Sequence, residues 1–155
     1  MTLKAIILQG TVVIDTYLVS ALGETSLAAM GLAAAIAGIV LGGILAFSNA
    51  MQIRIAQAYG IGETLFLKSA LASGLAVSLA IGVIGLIVIA LFGGSVIDAM
   101  APSAEVGALA RDYLAVFSLV ILGEAIGQTL SSYFNGCGAT RIPLYSFYLS
   151  LPVNV

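Results

Sequence analysis

The chain has 155 residues, of which 61% are hydrophobic and 8% are charged, and its formal net charge is -2. An ordinary soluble domain has roughly 25% charged residues, so this composition excludes a water-soluble fold and indicates a membrane protein. The five basic residues form no basic patch, so nucleic acid is not an expected partner. Because the chain has one cysteine and no histidine, an internal disulfide is excluded and no zinc or haem site is expected.

The first predicted helix covers residues 3–22, an apolar run that at ~1.5 Å per residue just crosses a hydrocarbon core of ~30 Å. This run is longer than the apolar part of a signal peptide, and further apolar runs follow it, so we predict a span rather than a leader. Asp15 lies deep inside the run, and Thr11 lies one turn earlier on the same face. A charged carboxylate there costs about 2.5 to 3.5 kcal/mol, which makes Asp15 a candidate functional residue. It can bind a proton, ligate a sodium ion through oxygen, or bond a neighbouring helix.

Four further apolar runs are predicted to be helical, at residues 27–57, 66–92, 106–135 and 144–155. The last has too few residues to cross ~30 Å at ~1.5 Å each, so the chain stops inside a helix. The predicted fold is therefore all-α, a polytopic membrane bundle of four transmembrane helices and the start of a fifth.

Polar residues and glycines set the predicted helix boundaries. Thr25 or Ser26 is expected to cap the second helix, and a glycine-broken loop at residues 56–63 is expected to follow it. The glycine pair at residues 93–94 is expected to end the third helix. Ser103 is the predicted N-cap of the fourth.

Polar side chains recur at helical spacing inside two of the predicted spans. The second helix carries Ser48, Asn49 and Gln52, and one face of the fourth carries Glu124, Gln128, Ser131 and Asn135. A polar stripe at bilayer depth should look inward, so the candidate cavity-lining residues are Thr11, Asn49, Gln52, Glu124 and Gln128. For Glu124 a purely structural role, as a buried hydrogen-bonded acid, is an equal alternative. Small residues four apart, at Gly38 and Gly42 and at Gly123 and Gly127, predict close approach of another helix.

The basic residues predict the orientation, because short loops rich in lysine and arginine remain in the cytoplasm. Lys4, Arg54, Lys68 and Arg141 fall on one side of the predicted membrane, and Arg111 falls on the other. The N-terminus is therefore expected to be cytoplasmic. The loop that contains the single cysteine, Cys137, is expected on the same side, where a free thiol is stable.

Three motifs at alternating ends of the predicted spans resemble the multidrug and toxic compound extrusion (MATE) family. They are Ile14-Asp15-Thr16 with Leu22-Gly23-Glu24, then Ala56-Gln57-Ala58-Tyr59-Gly60-Ile61-Gly62, then Gly136-Cys137-Gly138-Ala139-Thr140-Arg141-Ile142-Pro143. The resemblance implies a transporter of two six-helix lobes, in which residues 1–155 are an incomplete N-terminal lobe. It also implies cation-coupled export, with Asp15 and Asn154 in a proton or sodium site. Ala139 departs from the family pattern, where a polar residue is common.

These features together predict a secondary antiporter of the cell (inner) membrane. It would export organic compounds, cationic or amphipathic, against inward proton or sodium flow, with no cofactor besides the coupling ion and with membrane lipid around it. Transport would need the missing C-terminal lobe. One alternative is a lipid-linked precursor flippase, which would want a basic cavity, and another is a non-transport assembly or channel subunit. An intramembrane protease would need a second aspartate or a Ser/His pair at depth, so an enzyme is not expected.

Overall fold

The structure, a computed structural model, describes residues 23–143 together with Val13, Tyr17, Ser20 and Tyr145. Three long helices account for most of this part, and they are α1 (Glu24–Gly60), α2 (Thr64–Met100) and α3 (Ala104–Gly136). Each is long and apolar enough to cross a membrane. Within the described residues there is no strand, so the predicted all-α class is confirmed.

The two outer predicted helices lie largely outside the described residues. Of the first, Val13, Tyr17 and Ser20 are helical, and of the last, Tyr145 is helical. Arg141–Pro143 is also helical, which places Pro143 in a first helical turn as expected.

The start of α1 differs from the prediction. The helix begins at Glu24, so Thr25 and Ser26 lie within its first turn and do not cap it. The carbonyl of Gly23 accepts the bond from the Leu27 amide at 3.2 Å and thus closes this turn. Gly23 has φ of +101°, a conformation in which a side chain would be strained. The capping prediction was wrong because it required a polar cap and overlooked the glycine before it.

The predicted end of α2 was also wrong. The helix passes through Gly93 and Gly94 and ends at Met100. In an apolar environment no water competes for the backbone, so a glycine pair keeps its helical hydrogen bonds. Gly93 is also packed, because a Cβ there would lie 3.0 Å from Leu114 Cδ2. At the start of α3, the Val106 amide donates to Ser103 Oγ at 3.2 Å, which confirms the predicted cap.

α1 likewise continues to Gly60, so the loop predicted at residues 56–63 is a turn of three residues, 61–63. Gly62 has φ of +76° there. Each of α1 and α2 has 37 residues. At ~1.5 Å per residue these helices are roughly 55 Å long, well above the ~30 Å of hydrocarbon. They must therefore be tilted or extend beyond the membrane.

The described helices contribute to two compact units. The first comprises Met1–Gly38 and Val88–Leu119. Its core is built on alanines of α1 at every fourth position, packed with larger side chains of α2 and α3: Ala29, Ala33, Ala37, Ile97, Val106, Ala110 and Leu114. Since these alanines are on one helix face, they let the neighbouring helices approach closely.

The second unit comprises Ile39–Ile87 and Val120–Val155. Its helices meet at glycines. A Cβ on Gly82 would lie 3.1 Å from Leu122 Cδ2, and one on Gly85 would overlap the Val40 side chain. Gly136 is the tightest such position against backbone, because its Cβ would lie 3.0 Å from a main-chain carbonyl oxygen of α1.

The glycines that were predicted to allow close helix packing do not lie at the helix contacts formed within the described residues. Around Gly38, Gly42, Gly123 and Gly127, no heavy atom of this part of the chain lies within 4 Å of an added Cβ. The four-residue spacing identified a small-residue face, but the face that packs in these helices is a neighbouring one.

We predict that Gly136→Ala destabilises the protein by about 1 to 3 kcal/mol, the usual cost of overpacking. The added methyl group would lie 2.7 Å from Ile55 Cγ2 and 3.0 Å from the Gln52 carbonyl oxygen, and backbone cannot move aside cheaply. Gly127→Ala is the matched control, since its methyl group meets nothing within 4 Å. Size-exclusion chromatography after heating gives the midpoint of unfolding. A midpoint for Gly136→Ala equal to that of the control would contradict this packing.

Candidate functional site

The structure describes four of the predicted site residues. Asn49 and Gln52 lie on α1, and Glu124 and Gln128 lie on α3, all in the second unit. The three others, Thr11, Asp15 and Asn154, lie outside the described residues.

Glu124 and Gln128 contact each other along α3. Gln128 Nε2 donates to Glu124 Oε2 at 3.2 Å, across one helical turn. Glu124 is exposed and Gln128 is half-buried. In the described part of the chain, the carboxylate has no cationic partner. The predicted stripe therefore contains one internal hydrogen bond and an acid that can accept more.

The face of α3 that packs inside the second unit is not the predicted stripe. The buried residues are Ile121, Ala125, Thr129, Ser132 and Gly136. The stripe that starts at Glu124 lies next to this face; Glu124 is exposed, and Gln128, Ser131 and Asn135 are half-buried. Whether it lines a cavity therefore stays a prediction, since its neighbours would come from other parts of the protein.

Asn49 and Gln52 are one turn apart on α1. Asn49 is exposed and Gln52 is half-buried. Among the described residues, neither side chain makes a hydrogen bond. Their amide groups are thus available to water, substrate or other helices. The Gln52 main chain packs against α3, because its carbonyl oxygen is the atom that approaches Gly136.

A pair of buried hydroxyl groups joins α2 to α3, and sequence reasoning missed it. The hydroxyl oxygens of Thr129 and Ser78 are 2.7 Å apart, and both residues are fully buried. Thr129 Oγ1 also lies 2.8 Å from the Ala125 carbonyl oxygen. Since a hydroxyl has one proton and two lone pairs, Thr129 can donate to that carbonyl while accepting the Ser78 proton. The signal that could have found this pair is a serine, Ser78, near the middle of the most apolar helix.

Ser48 is another buried polar residue of this unit. Its Oγ atom is fully buried and has no hydrogen-bond partner within the described structure. A serine hydroxyl in a helix commonly bonds the carbonyl one turn earlier. Ser48 makes no such bond, so its hydroxyl is available to another partner.

An ion pair in the first unit was also missed. Arg111 on α3 bonds Asp98 on α2, and the two side chains are half-exposed, at 48% and 62%. They border a small cleft of about 240 Å³ at this end of the helices. The sequence placed Asp98 in a loop, where its distance from Arg111 could not be judged. An exposed pair of this kind contributes at most about 1 kcal/mol.

No group of three histidine, cysteine, aspartate or glutamate side chains that could hold a metal ion occurs in the part of the chain that the structure describes. The predicted proton or sodium site at Asp15 and Asn154 involves other residues, so it stays a prediction.

Three helices that are each long and apolar enough to cross a membrane define a polytopic helical membrane protein. The MatE family model matches residues 1–155, so the chain belongs to the MATE family, whose members are transporters rather than enzymes. The chain is 26% identical over 141 residues to the probable multidrug resistance protein NorM of Halalkalibacterium halodurans. That alignment covers 91% of this chain and 31% of the relative, so the chain spans less than a third of the length of the relative it matches. No solved structure matches the chain.

Proposed function

We propose that this chain is the N-terminal part of a secondary antiporter that exports organic compounds, cationic or amphipathic, against inward proton or sodium flow. The observation that carries the proposal is the family match over the whole chain, together with the similarity to a protein named for multidrug resistance. The protein would lie in the cell membrane with its N-terminus in the cytoplasm. Transport would require the rest of a two-lobe protein.

Asp15 is the proposed coupling residue, with Asn154 as its partner. Binding a proton or a sodium ion removes the cost of a charged carboxylate in a low-dielectric bundle. Loading the site can therefore favour one facing state of the transporter over the other. Substrate and ion then compete through their different affinities for the two states. A substrate site near the bilayer midplane, between the lobes, is the general arrangement in such transporters.

Polar side chains on α1 and α3 support the proposal of a cavity lined by these two helices. The exposed Asn49 and the half-buried Gln52 make no side-chain hydrogen bond among the described residues, and the exposed Glu124 accepts one bond, from Gln128, and can accept more. Polar groups at membrane depth are found facing protein or water, because lipid cannot hydrogen-bond them. An acid in such a cavity would also attract a cationic substrate.

We predict that the turn at residues 61–63 is cytoplasmic and that the turn after α2 is external, because Arg54 and Lys68 flank the former. The test uses two single-cysteine proteins, Ile61→Cys and Met100→Cys, each in a Cys137→Ser background. Both positions are exposed, at 75% and 64%. An impermeant maleimide added to intact cells should label the Met100 position, and the Ile61 position only after permeabilisation. The reverse pattern would invert the proposed orientation.

Glu124→Gln should support transport better than Glu124→Leu in the complete protein. An amide oxygen can still accept the Gln128 bond, whereas leucine abandons a contact with a net value of about 1 kcal/mol, or roughly fivefold in rate. Export of a fluorescent organic cation from cells measures the difference. If both variants lose export equally and severely, the negative charge of Glu124 matters rather than its hydrogen bond.

Asp15→Asn should leave the protein inserted in the membrane and abolish ion-driven export. Asparagine keeps the size and most of the hydrogen bonding of aspartate, but it carries no charge for an ion to neutralise. The experiment compares the complete protein with its variant in proteoliposomes under an imposed pH or sodium gradient. Val13→Ala, in the same helix at a position that is 66% exposed and outside the predicted site, is the control for local disturbance. Export by Asp15→Asn at the wild-type rate, with unchanged dependence on the gradient, would show that Asp15 is not the coupling residue.

A further inference from the structure

An open apolar groove runs between α1 and α2 in the second unit. It has a volume of about 370 Å³. Phe47 and Val77 lie at one end, and Arg54 and Phe66 lie at the other. Phe47 and Arg54 are seven positions apart, which corresponds to about 10 Å along the axis of α1 and is shorter than a lipid acyl chain.

Small residues create this groove. Ala70 and Gly74 are buried and lie at its base with Met51. Ala50 on α1 and Ser73 on α2 line it and are exposed, so their short side chains leave the space between the larger ones open. The result is a mostly apolar groove that an acyl chain can follow along the two helices.

Arg54 gives the groove one charged end. Its guanidinium group lies over the Phe66 ring, 5.9 Å from the ring centroid, which holds the cation at the groove. Its one polar contact within the described residues is a long bond of 3.4 Å to Gln57 Oε1. A guanidinium group has five N–H donors, so most of them remain available, and no carboxylate of the described chain neutralises the charge.

We propose that this groove binds one anionic phospholipid, with an acyl chain along α1 and α2 and the phosphate on Arg54. The charge complementarity supports this occupant, because arginine binds phosphate through parallel hydrogen bonds and the remainder of the groove is apolar. Arg54 also lies six residues from the end of α1, where a basic side chain reaches the headgroup region. The proposal concerns lipid and holds whether or not the protein exports organic compounds.

The same features disfavour a cationic organic compound as the occupant. Arg54 would repel its charge, and the groove has no acid among its lining residues. A helix from elsewhere in the protein would bury Arg54 without an identified counter-ion, which is costly in a membrane.

The first experiment titrates the complete purified protein with phosphatidylglycerol and with phosphatidylcholine and counts bound lipids by native mass spectrometry. Arg54→Gln should weaken phosphatidylglycerol binding roughly fivefold, as expected for one basic residue near the headgroups, and should weaken phosphatidylcholine binding less, because the choline cation offsets the phosphate charge. Arg141→Gln is the matched control, since Arg141 is exposed, is predicted on the same membrane side and does not line the groove. Ala50→Leu fills the groove and should weaken the binding of both lipids.

An equal loss of phosphatidylglycerol binding in the two arginine variants would indicate general surface attraction and overturn the proposal.

A second experiment identifies the occupant in cells, with a photoreactive benzoylphenylalanine at position 73. A phospholipid adduct is expected. A peptide adduct, from this protein or another copy, or the absence of any lipid adduct, would show that the groove is not a lipid site.

Discussion

Close approach of helices at small side chains is the interaction on which this structure depends. Lipid tails are as apolar as leucine, so burying large apolar groups provides little force to join helices inside a membrane. What remains is close packing and a few hydrogen bonds. The buried row of Ala29, Ala33 and Ala37 serves the first unit in this way, and contacts at Gly85 and Gly136 serve the second. The Ser78–Thr129 bond can form because neighbouring glycines bring α2 and α3 together.

The class of fold could be predicted from the sequence, because a long apolar run in a membrane has essentially one structural solution. Backbone groups in lipid must be bonded internally, so such runs become helices. The same constraint explains why the predicted end of α2 was wrong. Glycine and polar residues end helices in water, where solvent replaces the lost bonds. At Gly93 and Gly94 no such replacement is available, and the helix continues to Met100, after which Ser103 caps the next one. The prediction that Thr25 or Ser26 caps α1 was wrong for a different reason, because the Gly23 carbonyl closes the first turn.

The candidate site was harder to predict than the fold. Helical periodicity places Glu124 and Gln128 on one face, and the structure bonds them to each other. Periodicity does not tell which of two adjacent faces packs against the neighbouring helices. That choice depends on the shapes of side chains on other helices, such as Ile55 against Gly136. The buried hydroxyl of Thr129 was likewise hidden, because its partner Ser78 is 51 positions away in the sequence.

Arg54 and Arg111 show how the same residue type takes different roles. Arg111 is neutralised by Asp98, so its charge is satisfied within the protein. Arg54 has an aromatic ring and an amide as its contacts in the described chain, and neither carries a negative charge. A cation held at a fixed place beside an apolar groove binds an anion with less loss of side-chain freedom than a mobile one, because the ring already restricts it. The orientation rule counts both arginines alike, whereas the structure separates a charge paired with a carboxylate from one that has no carboxylate partner in the described chain.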